Sequence, residues 1–190
     1  MPPSVTLVRH GETAWSASGQ HTGRTDIPLT PEGERKARAL RERFKGVAFD
    51  RVFTSPLQRA ARTCELAGFG AAAKVDADLV EWDYGDYEGL TTREIQARRP
   101  GWRLFRDGCP NGEQARDAGA RADRVIARLR AADDKAIVFS SGHILRVLAA
   151  RWLGLEPSEG RLFKLDTASV SVLGYEHDKE EPAVALWNST

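Results

Sequence analysis

The sequence predicts an α/β fold: a three-layer α/β/α sandwich around a mostly parallel central sheet with an antiparallel edge. Three observations point there. The unbroken apolar runs at residues 5–8 and 136–139 read as strands buried on both faces. Segments of helical periodicity separate such runs, and strands alternating with helices build a parallel sheet between helical layers. Finally, residues 167–175 and 183–187 read as two closing strands joined by the charged turn 177–181. That turn is too short for a crossover, so the last pair runs antiparallel.

The first strand, Val5-Thr6-Leu7-Val8, ends abruptly in Arg9-His10-Gly11-Glu12-Thr13. Open α/β sheets bind ligands at the carboxyl ends of their strands, so a cation and an imidazole stand where a site is expected. Gly11 allows a sharp turn and the close approach of an anion. Residues 14–27, rich in Ser, Gly, Thr and His, read as an irregular surface segment. Thr30 as N-cap and Pro31 as first helical residue open a helix over 31–44, with Ala37, Leu40 and Phe44 on its apolar side. The next strand lies within 47–54 and is broken by Ser55-Pro56, after which Pro56 opens a helix through Leu66. Arg59 and Arg62 fall near its beginning, three apart and therefore on neighbouring parts of one face.

A third strand at 73–75 leads into Asp78-Leu79-Val80-Glu81-Trp82-Asp83-Tyr84-Gly85. A short helix follows at 91–98, ended by Pro100, and 101–112 reads as a loop over the site. Residues 113–131 form a long helix with Ala122, Val125, Ile126 and Leu129 on the buried side. The strand at 136–139 ends in Ser140-Ser141-Gly142-His143, and 144–153 is a helix whose N-terminus faces that loop.

Composition narrows the function. With 190 residues and 41% hydrophobic content the chain buries one good core, and one domain over 1–190 is expected. A formal net charge of +1 sets up no global field for nucleic acid or a membrane surface, and no basic stripe or aromatic platform points to nucleic acid. Cys64 and Cys109 stand in no metal-ligand or redox spacing, so reduced thiols in a cytoplasmic protein are expected. No leader-like apolar stretch and no membrane-length run is present. No Asp/Glu/His cluster has metal-ligand spacing, and neither a metal nor another cofactor is expected.

Arg9, His10, Arg59 and Arg62 all fall at strand ends or helix starts on the same edge of the sheet. The helix from Ile144 adds backbone N–H groups and a partial positive charge there. Such a cluster fits a dianionic phosphoryl group, although arginines in these places also serve as surface ion pairs. A neutral imidazole is a competent nucleophile toward phosphorus, and neighbouring guanidinium groups keep His10 deprotonated. Glu81, at a strand end and flanked by Trp82 and Tyr84, suits the donor of the leaving group's proton; by position alone it is equally an ordinary surface carboxylate.

Motifs in order along the whole chain resemble the histidine phosphatase (phosphoglycerate mutase-like) superfamily. Leu7-Val8-Arg9-His10-Gly11-Glu12-Thr13 is similar to its opening motif, Thr54-Ser55-Pro56-Leu57-Gln58-Arg59-Ala60 to its second Arg block, and Leu79 through Gly89 to its acid block. Within the family, Gly19-Gln20-His21-Thr22-Gly23, Glu81 to Leu90 and Arg106-Asp107-Gly108-Cys109 resemble sedoheptulose-1,7-bisphosphatase-like enzymes and small broad-specificity acid phosphatases. The resemblance implies that His10 is phosphorylated, Arg9 and Arg59 hold the phosphate, and Glu81 acts as general acid and then base. It places Ser16, Thr22 and Gly23 on the substrate side, with Tyr84 beside them. Arg146 and His177 would supply a second cationic patch for a sugar bisphosphate, and the substrate would be a small phosphorylated metabolite. Dimers are common among such relatives, which leaves a homodimer open.

One position departs from the family. Its second catalytic His precedes a Gly in the loop after the strongest strand, and here that position is Ser141. Loss of one such donor to the transferred phosphoryl group costs on the order of 100- to 1,000-fold in rate. Three explanations stay open: an engineered, ligand-trapping substitution, replacement by His143 two residues on, or a natural enzyme of low rate. A phosphatase is favoured because a mutase needs a covering segment to keep water from its phosphohistidine, whereas the long helix 113–131 takes up a third of the short stretch between Glu81 and Ser141 and this cap region resembles the mutases poorly. The alternatives are a phosphoglycerate mutase and a non-catalytic module that binds a phosphorylated ligand.

Overall fold

Two parallel strands, β1 (Ser4–Arg9) and β4 (Lys135–Ser140), form the centre of the sheet, with Arg9 directly opposite Ser140. This register brings the loop that follows each strand to one edge, and the candidate site is built there. The computed structural model describes residues 3–190. On one side, β4 pairs in parallel with β2 (Arg51–Thr54), which pairs in parallel with β3 (Ala73–Val75). On the other side β5 (Val170–Tyr175) and β6 (Pro182–Ser189) are added antiparallel, giving a six-stranded sheet in the order β3-β2-β4-β1-β5-β6. The fold is α/β, as expected.

Both faces are covered, which is why β1 and β4 read as unbroken apolar runs. On one face Val8, Val52, Ile137 and Phe139 pack with Leu40 of α2 (Pro31–Arg43) and Cys64 of α3 (Gln58–Leu66). On the other, Leu7, Val138 and Leu173 pack against α6 (Ala115–Arg130) and α7 (Gly142–Trp152), through Ala122, Val125, Ile144 and Leu148. Among the described residues no helix is long and apolar enough to cross a membrane.

Several boundaries differ from the sequence expectation for local reasons. Residues 14–27 are not wholly irregular: Thr13 caps the short α1 (Ala14–Ser18) through a reciprocal bond with Ser16. Pro56 does not open α3, because Ser55 Oγ accepts from Leu57 N and holds a turn before the first helical residue, Gln58. The segment 101–112 contains a helical turn, α5 (Leu104–Asp107), and α4 occupies Thr92–Arg98 with Thr91 as its cap. The strand expected from 167 begins at Val170, since Ala168 adopts φ 57° and donates its N–H to the carbonyls of Arg9 and His10. That turn ties the end of β1 to the start of β5.

Candidate active site

Arg9 and His10 leave β1 together. His10 N donates to Ser140 O at 2.9 Å, so the imidazole starts from a fixed backbone. Its Nδ1 lies 2.7 Å from the Gly11 carbonyl oxygen. A carbonyl only accepts, so Nδ1 carries the proton and Nε2 keeps its lone pair. The ring is buried, and burial, then the Arg9 and Arg59 guanidinium groups, hold it well below the ordinary imidazole pKa. Gly11 is required for a steric reason: a Cβ there would stand 2.5 Å from Gly33 O in α2.

Arg59 is fully buried in the first turn of α3. Its Nη atoms donate to the carbonyls of Thr22, Gly23 and Thr25 at 2.8–3.0 Å, so it braces the loop that walls the pocket. Gly23 fits beneath Trp82 because a Cβ would meet Trp82 O at 2.5 Å, and its N–H binds the Glu88 carboxylate. Arg9 Nη1 donates to Leu165 O at 2.5 Å. Arg62, expected in the same cation cluster, is not there. It turns outward to Glu34 of α2 and Glu65, its charge neutralised at the surface.

Glu81 is buried and accepts from Trp82 N at 2.8 Å, Ile144 N at 2.8 Å and His143 N at 2.9 Å. The last two donors are the free N–H groups of the first turn of α7, so this helix N-terminus holds a carboxylate. Beside it the Tyr84 hydroxyl meets His143 Nδ1 at 2.5 Å. Ser141 caps the backbone of α7, but its hydroxyl makes no cap bond and is fully buried. Among the described residues, the buried polar side-chain atoms without a hydrogen-bond partner are Arg9 Nε, Arg59 Nε and Ser141 Oγ. Orphaned buried groups are rare, and all three belong to residues expected at this site.

A pocket of about 180 Å³ is lined by Arg9, His10, Ser16, Thr22, Glu81, Tyr84, His143 and Arg146, with His21 at its rim. Thus Arg9, His10, Ser16, Thr22, Glu81, Tyr84, His143 and Arg146 are brought together, while Arg59, Gly23 and Ser141 stand behind the surface. His177 is not brought in: it sits exposed in the β5–β6 turn and pairs with Glu181 at 2.6 Å. Sequence reasoning missed His21. Its ring lies 4.8 Å from that of Tyr84 and 6.0 Å from that of His143, and burial lowers its pKa to about 4. The available signal was its place in Gly19-Gln20-His21-Thr22-Gly23, a loop fixed when Gly89 N donates to His21 O.

A family model, Histidine phosphatase superfamily (branch 1), matches residues 5–190. The chain belongs to this superfamily. This histidine phosphatase is 40% identical to an acid phosphatase of Mycobacterium tuberculosis, over 95% of this chain and 90% of that one. It is 42% identical to sedoheptulose 1,7-bisphosphatase of Saccharomyces cerevisiae, over 82% of this chain and 69% of that one. A solved structure of an open reading frame of Mycobacterium tuberculosis superposes with TM-score 0.93 at 37% identity, covering 98% of this chain and 97% of that one. This histidine phosphatase is an enzyme of the phosphatase class, and its α/β fold is shared with that solved relative.

Proposed function

We propose that this histidine phosphatase is a metal-independent phosphomonoesterase working through a phosphohistidine on His10. Its substrates are small phosphorylated metabolites, sugar phosphates or bisphosphates foremost. The observation that carries this reading is the His10 Nδ1 bond to Gly11 O, which leaves Nε2 unprotonated in a pocket shared with Arg9 and Glu81. In the first step Glu81, which takes up a proton as the phosphomonoester binds as its monoanion, gives that proton to the departing alkoxide while Nε2 attacks phosphorus and the ester P–O bond breaks. In the second step Glu81 takes a proton from water, whose oxygen attacks phosphorus as the P–N bond breaks. Inorganic phosphate leaves and His10 is neutral again. Arg9 and Arg59 oppose the charge on the phosphoryl oxygens throughout.

The reading assigns each of these roles to a side chain of the chain and none to a metal ion. Phosphate release from a panel of sugar mono- and bisphosphates, with and without chelator, tests the reading. It expects turnover that survives chelator and disappears in His10→Ala. Strict dependence on Mg²⁺ contradicts it. Ser141 favours a second reading, a module that binds phosphorylated ligands without turnover, because its buried hydroxyl does not line the pocket. Micromolar ligand binding with no phosphate release at high enzyme concentration would support that alternative.

A further inference from the structure

Glu81 lies on a segment with no regular structure of its own. β3 ends at Val75, Ala77–Leu79 make one 3₁₀ turn, and residues 80–84 are neither helix nor strand. A carboxylate placed there takes no support from a sheet ladder, and the backbone polar groups around it need other partners.

Arg121, on α6, supplies most of them. Its Nη1 donates to Asp78 O at 2.7 Å and to Val80 O at 2.6 Å, and Nη2 lies 3.4 Å from Glu81 O. Nε and Nη2 also donate to the two Glu113 carboxylate oxygens, each at 2.7 Å, so every N–H of the guanidinium fork is engaged. Both side chains of this pair are only 15% exposed. Glu113 completes the clasp from beyond Glu81. Its Oε2 accepts from Asp83 N at 2.9 Å, its own N–H donates to Asp83 O at 2.9 Å, and its carbonyl accepts from Trp82 Nε1 at 3.1 Å. The remaining carbonyl, Leu79 O, accepts from Ser140 Oγ of β4 at 2.5 Å. The backbone on either side of Glu81 is thus tied to one ion pair. Neither Arg121 nor Glu113 lines the catalytic pocket, so any effect on the reaction passes through Glu81.

We infer that Arg121 is a positioning residue for the reaction: buttressed by Glu113, it holds the backbone of residues 78–83 where the Glu81 carboxylate meets the pocket. The inference rests on the phosphomonoesterase reading, in which Glu81 moves the proton. A lysine would keep the charge but lacks the planar fork that spans two carbonyls and a carboxylate. The neighbouring Arg124 does none of this. It forms an exposed pair with the Asp78 carboxylate at 2.5 Å and touches no carbonyl of the segment.

The test compares kcat/KM for an alkyl phosphate, whose alkoxide needs the Glu81 proton, with that for p-nitrophenyl phosphate, whose phenolate leaves without one. This quantity extends only to the phosphorylation of His10, so the hydrolysis step common to both substrates does not enter. Misplacing a reacting group by about 1 Å costs about 100-fold in rate. Arg121→Ala is expected to lower kcat/KM for the alkyl phosphate by about that factor and for p-nitrophenyl phosphate far less, the same selectivity as Glu81→Gln. Arg121→Lys shows the selective loss in smaller degree and serves if Arg121→Ala fails to fold. Arg124→Ala leaves the ratio of the two substrates unchanged. An equal loss on both substrates, or a ratio shifted as far by Arg124→Ala, marks Arg121 as merely structural and overturns the inference while leaving the phosphatase reading intact. If no substrate is hydrolysed, or Glu81→Gln loses both substrates equally, that reading fails instead. NMR then decides the clasp through the amides of His143 and Ile144, which donate to the Glu81 carboxylate. Amide signals that move in Arg121→Ala or Arg121→Lys but not in Arg124→Ala support it, and unmoved signals overturn it.

Discussion

The Tyr84 hydroxyl stands 2.5 Å from His143 Nδ1, and the surroundings of the two groups fix which one donates. Burial, then the nearby Glu81 charge, pushes Tyr84 well above the usual phenol value. Burial, then Arg146, holds His143 well below the usual imidazole value. Both are neutral, so Tyr84 donates to Nδ1 and the His143 proton resides on Nε2. His143 is thereby a neutral donor at the rim of the pocket. Tyr84→Phe removes the donor with little change in volume and leaves a buried acceptor unpaired, a cost of about 1–3 kcal/mol. The expected outcome is a fall in kcat/KM of about tenfold and an altered His143 ring signal by NMR. An unchanged ring signal contradicts the assignment.

Ser141→His restores the side chain that the family carries before Gly142. One donor to the transferred phosphoryl group is worth about 100- to 1,000-fold in rate. Turnover in the variant is expected to rise by a factor in that range, measured under saturating substrate. No gain would mean that His143 already performs this work.

Three imidazoles link stability to pH. His10, His21 and His143 all have pKa values lowered in the folded chain, chiefly by burial, His21 to about 4. Below about pH 6.5 the unfolded chain binds protons that the folded chain refuses, so their contribution is complete above that pH and lost as pH falls. For His21 the loss runs from about pH 6.5 down to about 4, at up to about 1.4 kcal/mol per pH unit. Urea midpoints across that window should fall with acidity. His21→Gln should flatten the slope by up to one proton.

Gly11→Ala is expected to lower stability and abolish turnover together. Its Cβ would meet the Gly33 carbonyl oxygen at 2.5 Å, and backbone on both sides leaves nothing free to yield. Overpacking of this kind costs about 1–3 kcal/mol, and relief by displacing the loop would move His10. A urea titration with parallel assays checks both effects. Full activity in a destabilised variant would separate the loop from the chemistry.

Much of this was legible in the chain because the signals are local. The β1 run and its Arg9-His10-Gly11 ending place a cation and an imidazole at a strand's carboxyl end. The cap of α2 by Thr30 and Pro31 is likewise written in adjacent residues. What was not legible depends on partners distant in sequence. Arg62 reads like Arg59 until α2 brings Glu34 against it. His177 is a residue type suited to an anion, but it sits exposed in the β5–β6 turn, paired with Glu181, and does not line the pocket. The bracing of residues 22–25 by Arg59 uses backbone carbonyls, which carry no residue-type signal. His21 gains its place only when Tyr84 and Trp102 are brought beside it.

The central claim is that His10 becomes covalently phosphorylated, and trapping that adduct tests it most directly. The chain is mixed with a labelled phosphomonoester, quenched in base within the first turnover, and digested for mass spectrometry. The account predicts a phosphoryl group on the peptide containing His10, stable to base, lost in acid and absent from His10→Ala. It also predicts a larger trapped fraction if Glu81→Gln, lacking the base, slows hydrolysis more than phosphorylation. Release of phosphate by the unaltered chain with no adduct on His10, together with turnover retained in His10→Ala, would contradict it.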